Sequence, residues 1–142
     1  MIVFLACTKQ KSSKPCIAKD MYQSSLFNSS YQYARSLNPR KIYILSALYG
    51  LLELNDFIRP YDKTLLSMSE KEKKQWAIKV YKEMIKKNIN FDEEAIFLCG
   101  KQYRKYLIPK FKNGKAPLKN LAIGKQLQFY KNNVKGVSNE IK

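Results

Sequence analysis

The chain has 142 residues, of which 45% are hydrophobic, and this is enough for one compact domain with a single core. Lysine and arginine outnumber aspartate and glutamate by 27 to 11, which gives a net charge of +16 at pH 7. There is no histidine, so Ser-His-Asp and Cys-His catalysis, imidazole acid–base chemistry and histidine-ligated zinc are excluded.

The positive charge is far above the net charge of about 2 to 8 that solubility requires of a small domain. Ten tyrosines and seven phenylalanines accompany the cations, and aromatic faces stack on bases while cations neutralise phosphates. An AT-rich genome is the alternative source of so many lysine and tyrosine codons. We expect a nucleic acid, DNA in particular, as the partner of a monomeric protein.

The cysteines indicate neither a disulfide framework nor structural zinc. Cys7, Cys16 and Cys99 are odd in number and lack Cys-x-x-Cys spacing. The acids are scattered, and no glycine-rich nucleotide-binding motif is present, so we expect no metal and no cofactor. No apolar run reaches about 18 residues and the short N-terminal one lacks a basic flank, which predicts a cytoplasmic protein without a membrane segment.

The first third of the chain alternates strand and helix patterns. Residues 2–7 are a continuous apolar run that predicts a buried strand, followed by a polar loop. A helix is predicted from an N-cap at Ser24 or Ser25 until Asn38 and Pro39 end it. Residues 41–47 predict a second buried strand.

The middle of the chain combines a long loop with a clear helix. Residues 48–66 have no clean period and contain Pro60, so they predict an ordered loop with at most one helical turn, and loops of this length are usually functional. Ser69 and Glu72 form a capping-box pattern that begins a helix ending near Asn88.

The last third of the chain also alternates strand and helix patterns. Residues 95–98 predict a third strand with a crossover helix after it, residues 115–121 a fourth strand, and residues 124–131 a last helix. We therefore predict a single α/β domain over residues 1–133 and a flexible tail over residues 134–142.

Short strands separated by helices predict an α/β three-layer sandwich around a short, mostly parallel, four-stranded sheet. Ligands of such folds bind beyond the carboxyl ends of the strands. That rule gathers residues 7–9, residues 46–50 and residues 100–103 at one edge. The alternative for each segment is that any strand must end in turn residues.

Sorting the acids singles out Asp62, because Pro60 restricts the chain before it and Tyr61 is its aromatic neighbour. A carboxylate held there can orient a water or stabilise a developing cation. The alternative is an N-cap or a salt bridge to Arg59 or a lysine. The acids expected near the edge are Asp20, Glu53, Asp56 and Asp62.

Five segments resemble, in order, a family of small bacterial and phage proteins catalogued as a domain of unknown function. They are residues 7–11, 18–27, 44–52 (Ile-Leu-Ser-Ala-Leu-Tyr-Gly-Leu-Leu), 58–62 (Ile-Arg-Pro-Tyr-Asp) and 124–127. The resemblance covers nearly the whole chain. The family pattern has Cys-Gly-x-Lys and Ser-Ala-Lys-x-Gly-Leu-Leu, whereas this chain carries Thr8 and Leu48.

The order Cys, Lys, Tyr, Ser is also distantly similar to the catalytic domain of archaeosine synthase, which modifies a deazaguanine base in tRNA. That domain in turn resembles the uracil-DNA glycosylase fold. The resemblance implies a uracil-DNA-glycosylase-like architecture and chemistry directed at a nucleobase.

Composition and resemblance together predict a metal-independent DNA glycosylase that hydrolyses the N-glycosidic bond of a modified base. Asp62 and Ser46 are the candidate catalytic residues. Asp62 is expected to steady the sugar cation, Tyr49 or Tyr61 to stack on the base, and Ser46 or Gln126 to hydrogen-bond it. The candidate substrate-binding residues are Cys7, Lys9, Lys11, Tyr22, Ser24, Tyr49, Gly50, Tyr61, Gly100, Lys101 and Gln126.

Two other hypotheses stay open. The likeness to archaeosine synthase implies a transferase, in which Lys9 or Lys11 attacks or delivers a group and must be neutral to do so. The third is a non-catalytic nucleic-acid-binding protein. Repair, modification and defence against modified phage DNA are alternative biological roles.

Overall fold

Short strands alternate with helices along the chain. The computed structural model describes the backbone of residues 1–141 and the side chains of residues 1–133. The strands are β1 (Ile2–Ala6), β2 (Cys16–Ile17), β3 (Lys41–Ser46), β4 (Gly50–Glu53), β5 (Phe57–Ile58), β6 (Ala95–Leu98) and β7 (Gly114–Lys115). The α-helices are α1 (Ala18–Met21), α2 (Ser25–Ser36), α3 (Glu70–Lys86), α4 (Lys101–Arg104) and α5 (Ile123–Ile141).

Five of the strands form one sheet in the order β4-β3-β1-β6-β7. The pairs of β1 with β3, β1 with β6 and β6 with β7 are parallel, and β4 is antiparallel to β3. Strands β2 and β5 form a separate antiparallel pair. The prediction of a mixed α/β fold with a mostly parallel sheet is confirmed, although the sheet has five strands and not four.

Strand β1 is the centre of the sheet and of the core. Its residues 2–5 are fully buried, because a parallel strand is covered on both faces, and this is why its sequence reads as a continuous apolar run. The chain leaves β1 through α2 to reach β3 on one side, and returns through α3 to β6 on the other. Right-handed crossovers in opposite directions place α2 and α3 on opposite faces of the sheet.

The two long helices of the first hundred residues begin where their caps predict. Ser24 accepts a hydrogen bond from the backbone N–H of Phe27 at 3.1 Å and begins α2. Ser69 and Glu72 form a reciprocal capping box that begins α3. These predictions are confirmed, because the side-chain oxygens satisfy N–H groups that the first helical turn leaves without partners.

The prediction of a long loop over residues 48–66 is wrong in its first part. The chain turns at Leu48 and Tyr49 and pairs back on β3 as β4, with Gly50 at φ +77°. A four-residue strand is too short to show a periodic pattern. Beyond it, β5 pairs with β2, and the one helical turn is a 3₁₀ helix at Leu65–Ser67.

The C-terminal part also differs from its prediction. The fourth strand, expected over residues 115–121, is reduced to β7, and the helix after β6 is the single turn α4. Helix α5 extends to Ile141, well beyond the predicted end near residue 131. The flexible tail predicted over residues 134–142 stays a prediction, because the side chains of these residues lie outside the described part of the chain. Among the residues that the structure describes, no helix is long and apolar enough to cross a membrane.

We predict that Gly50→Ala destabilises the protein by about 2 kcal/mol or more, because a side chain is strained at positive φ and its Cβ would overlap the Glu83 carboxylate. That carboxylate accepts the backbone N–H of Leu51 at 3.0 Å and cannot move without losing this bond. Urea unfolding measures the change. Gly124→Ala is the matched control, since a Cβ there meets nothing within 4 Å; equal stability of the two variants would contradict the prediction.

Candidate functional site

A cavity of about 400 Å³ lies at the carboxyl ends of β1 and β6. The chain passes from β1 to β3 on one side of the sheet and later enters β6 on the other, so the strand order reverses between β1 and β6. In open α/β sheets, ligands bind in the crevice at such a switch point. The topology therefore makes this cavity the first candidate for a ligand site.

The cavity walls are largely apolar and aromatic. Phe27 of α2, Tyr103 of α4 and Tyr130 of α5 contribute rings, and each of these residues is buried. On α2, Ser30 is three residues from Phe27, and on α5, Gln126 is four residues from Tyr130, spacings that bring each pair to one helix face. Apolar walls with few polar atoms are typical of small-molecule sites.

Gln102 is the unusual polar residue of the lining. Its side-chain oxygen Oε1 is buried and has no hydrogen-bond partner among the described residues. Leaving a buried acceptor unpaired costs about 1–3 kcal/mol, and native structures contain few such groups.

A network of buried hydroxyls lies beside the cavity. The Tyr61 hydroxyl is 2.6 Å from that of Tyr22 and 2.8 Å from Ser46 Oγ. Ser46 is fully buried, and its oxygen also accepts the backbone N–H of Tyr49 at 2.9 Å. These bonds fasten the segment around Tyr61 to the end of β3.

Cys7 lines the cavity and contacts another buried hydroxyl. Its sulfur lies 3.3 Å from the Tyr103 hydroxyl, which accepts the backbone N–H of Leu65 at 3.4 Å. The end of β1, α4 and the segment after Asp62 are thereby held together at one edge of the sheet.

Burial sets the protonation of these groups. It raises the pKa of Tyr22, Tyr61 and Tyr103 well above the usual tyrosine range, with the nearby Cys7 acting in the same direction. The three hydroxyls are therefore neutral at physiological pH and act as hydrogen-bonding groups. Burial also raises the pKa of the Cys99 thiol to about 12, against the opposing effect of Arg104, so this cavity-lining thiol is not an activated nucleophile.

Asp62 lies on the segment that the network fastens. Its side chain is exposed and has no hydrogen bond or ion pair with any described residue. The residue before it, Tyr61, is anchored through its hydroxyl. No acid is among the described residues that line the cavity, and Leu66, four residues after Asp62, is part of the lining.

The other predicted residues near the network have local partners. Lys11 Nζ lies 4.5 Å from the centre of the Tyr61 ring. Ser24 Oγ donates to Thr8 Oγ1 at 3.0 Å, and the Tyr49 hydroxyl accepts the Arg59 backbone N–H at 3.1 Å. Gly50, at the start of β4, faces the Glu83 carboxylate.

The predicted residues thus separate into neighbouring groups. Cys7, Gly100, Lys101 and Gln126 line the cavity, and Gln126 Nε2 donates to the Leu121 carbonyl at 2.8 Å. Tyr22, Ser46 and Tyr61 form the hydroxyl network, with Ser24, Tyr49 and Lys11 around it. Lys9 is exposed just after the end of β1.

The expectation that Glu53 and Asp56 lie near this edge is wrong. Strand β4 runs antiparallel and carries the chain back, so that Glu53 pairs in register with Tyr43 near the start of β3. Glu53 there forms ion pairs of 2.5 Å with Lys41 and 2.6 Å with Lys87, which lower its pKa to about 2. Asp56 accepts the Glu53 backbone N–H, and Asp20 is exposed on α1.

Sequence reasoning missed several residues of the lining. The sequence pattern identifies three of them only as residues on a helix face: Phe27 and Ser30 on α2, and Tyr130 on α5. Gln102 and Tyr103 belong to the segment after β6 that was expected at this edge, but neither was singled out. The signal that finds them is the order of the strands, because it makes β1 and β6 neighbours and brings their ends together.

A family model described as "Family of unknown function (DUF6884)" matches residues 2–132. The chain belongs to this family. The match includes every strand of the sheet and all residues that line the cavity, and it confirms the predicted membership in a domain-of-unknown-function family. No curated protein matches the sequence. Within the described residues, no group of three or more His, Cys, Asp or Glu side chains is arranged to hold a metal ion.

We predict that Tyr61→Phe destabilises the protein by about 1–3 kcal/mol, because the Tyr22 hydroxyl loses its partner in a buried setting. Thermal or urea unfolding measures the change. Tyr31→Phe is the control, since the Tyr31 hydroxyl has no hydrogen bond within the described residues, and it should change stability by less than about 0.5 kcal/mol. Equal effects of the two substitutions would show that the network does not stabilise the fold.

Proposed function

We propose that this protein is a metal-independent N-glycosidase that removes a modified base from DNA. The observation that carries the proposal is the cavity at the switch point of the sheet, with aromatic walls and a volume of about 400 Å³. Known small-molecule sites span roughly 300–1,000 Å³. A flat heterocycle suits such walls, because its faces stack on rings and its edge hydrogen-bonds.

The charge of the molecule supports a nucleic acid as the carrier of that base. The net charge is +16, and Lys101 at the cavity and Lys9 after β1 are exposed without an ion pair among the described residues. Cations in this position can neutralise phosphates on either side of an extruded nucleotide.

The chemistry needs one carboxylate and no metal. As the bond between the base and the sugar C1′ lengthens, the base leaves with the bonding electrons and the sugar becomes positively charged. A carboxylate near that carbon stabilises the cation and accepts a proton from the attacking water. Asp62 is suited to this role, because its side chain is exposed and without a partner, and Tyr61 anchors the backbone beside it.

The distant resemblance to the archaeosine synthase catalytic domain and to the uracil-DNA glycosylase fold also supports an enzyme that acts on a nucleobase. Of the two other hypotheses, the transferase has less support. Lys11 Nζ lies 4.5 Å from the centre of the Tyr61 ring, and it would have to leave this contact to attack a substrate.

The test is base release from DNA. The protein is incubated with unmodified duplex and with duplexes carrying oxidised, deaminated, alkylated or phage-type hypermodified bases, and abasic sites are scored by alkaline strand cleavage. We predict cleavage of at least one modified duplex, and a loss of about 10²-fold or more in rate for Asp62→Asn, because the sugar cation loses its counter-charge.

Asp92→Asn is the matched control, since Asp92 is also exposed and without a side-chain partner but precedes β6 at the opposite end of the sheet. It should retain the full rate. Tight DNA binding without cleavage of any duplex would contradict the glycosylase and favour the non-catalytic binder. Covalent change of the base without its release would favour the transferase.

A further inference from the structure

We infer that a groove beside α3 binds an unpaired DNA strand next to the nucleotide that enters the cavity. The groove has a volume of about 230 Å³ and lies between α3 and the segment after α4. Its lining residues are Lys74, Ala77, Ile78, Tyr81, Tyr106 and Lys110. The inference rests on the proposed function for DNA as the partner, and it names the unpaired strand as the form of DNA that the protein binds.

The floor of the groove is apolar and aromatic. Lys74, Ile78 and Tyr81 are spaced by four and three residues, which places them on one face of α3. Ile78 is 55% exposed, and Tyr81 and Tyr106 are half-buried. Aromatic rings at the surface can stack on the bases of a single strand, and such stacking accepts any base, because every base has a flat face.

Ammonium groups lie beside both rings. Lys110 Nζ is 4.8 Å from the centre of the Tyr81 ring, and Lys74 Nζ is 5.8 Å from the centre of the Tyr106 ring. Both lysines are exposed, without an ion pair to any described residue, and no acid is among the described residues that line the groove. A base that stacks on either ring therefore brings its phosphate next to a flexible cation.

The acid that contacts Tyr106 is Glu70, and its charge is compensated. Its carboxylate accepts hydrogen bonds from Lys105 Nζ at 2.8 Å and from the Tyr106 hydroxyl. These two partners lower the pKa of Glu70 to about 2. Glu70 thus positions Tyr106 beside the start of α3 and does not present an unpaired negative charge to a phosphate.

Helix α4 connects the groove with the cavity. Lys101 lines the cavity, and its carbonyl accepts the backbone N–H of Lys105 at 2.9 Å, so the two lysines are one helical turn apart. Lys105 Nζ is 5.0 Å from the centre of the Tyr106 ring. A strand whose nucleotide enters the cavity at Lys101 can continue past Lys105 to the groove. The rings favour an unpaired strand there, because the base faces of a duplex are already stacked on one another.

The first experiment tests the ring of Tyr106. The wild type, Tyr106→Leu and Tyr106→Phe are titrated into a labelled, unmodified oligothymidylate and into a duplex of the same length, and fluorescence anisotropy measures binding. We expect the wild type to bind the single strand more tightly than the duplex. Tyr106→Leu should bind the single strand about fivefold more weakly than Tyr106→Phe, or worse. Both variants lose the hydroxyl bond to Glu70, so the difference between them reports the ring.

The second experiment tests the lysines by the salt dependence of single-strand binding. The double variant Lys74→Gln, Lys110→Gln should reduce the slope of log K against log salt concentration by about 1.4, because two phosphate contacts are lost. The double variant Lys79→Gln, Lys86→Gln is the matched control, since it removes the same charge from exposed positions on another face of α3. It should keep the wild-type slope.

Equal single-strand binding by Tyr106→Leu and Tyr106→Phe, equal slopes for the two lysine variants, or tighter binding of the duplex would overturn the inference. Failure of the proposed hydrolysis is distinguishable from this. Groove-dependent binding of the single strand without release of any base supports the inference and contradicts the glycosylase. Base release by a protein whose strand binding is the same in the wild type and in the groove variants contradicts the inference alone.

Discussion

The pairing of β1 with β3 on one side and with β6 on the other is the constraint on which the rest of the structure depends. Five parallel pairs join β1 to β3 and four join it to β6, and the strand between them is fully buried over residues 2–5. Because both neighbours run parallel to β1, each is reached by a crossover helix, and the helices must cover opposite faces. The crevice between the ends of β1 and β6 follows from this arrangement.

The polar groups at this edge differ in whether their buried hydrogen-bonding atoms have partners. The hydroxyls of Tyr22, Ser46 and Tyr61 satisfy one another, and a satisfied network holds backbone segments in one arrangement. The Gln102 oxygen is also buried but has no partner among the described residues. Within the proposed function, the network holds the segment around Tyr61 at the end of β3.

The elements that the sequence predicts well are those specified by local chemistry. The buried strands show as apolar runs, and α2 and α3 begin at side-chain caps, all of which a reader of the sequence can identify. Strand β4 cannot be predicted in this way, because its four residues form a strand only through their pairing with β3 and the conformation of Gly50. Glu53 was misplaced for the same reason: its position depends on the direction in which β4 runs.

The candidate site was predictable in part. The rule that ligands bind beyond strand ends brings Cys7, Gly100 and Lys101 together, and the structure places these residues at the cavity. Helices α2 and α5 also contribute to the cavity walls, and this is a consequence of tertiary packing. The two helices contact each other through Tyr33 and Phe129, for example, whose ring centres lie 5.2 Å apart.

The most direct test of the account is to locate a bound base by amide chemical-shift changes. ¹⁵N-labelled protein is titrated with each of the four natural bases, and backbone amides are followed across the chain. We predict changes that concentrate at Thr8, Gly100 and Gln102 for the base that binds. Changes restricted to lysine-rich helix surfaces, or none at millimolar base, would show that this cavity is not a nucleobase site.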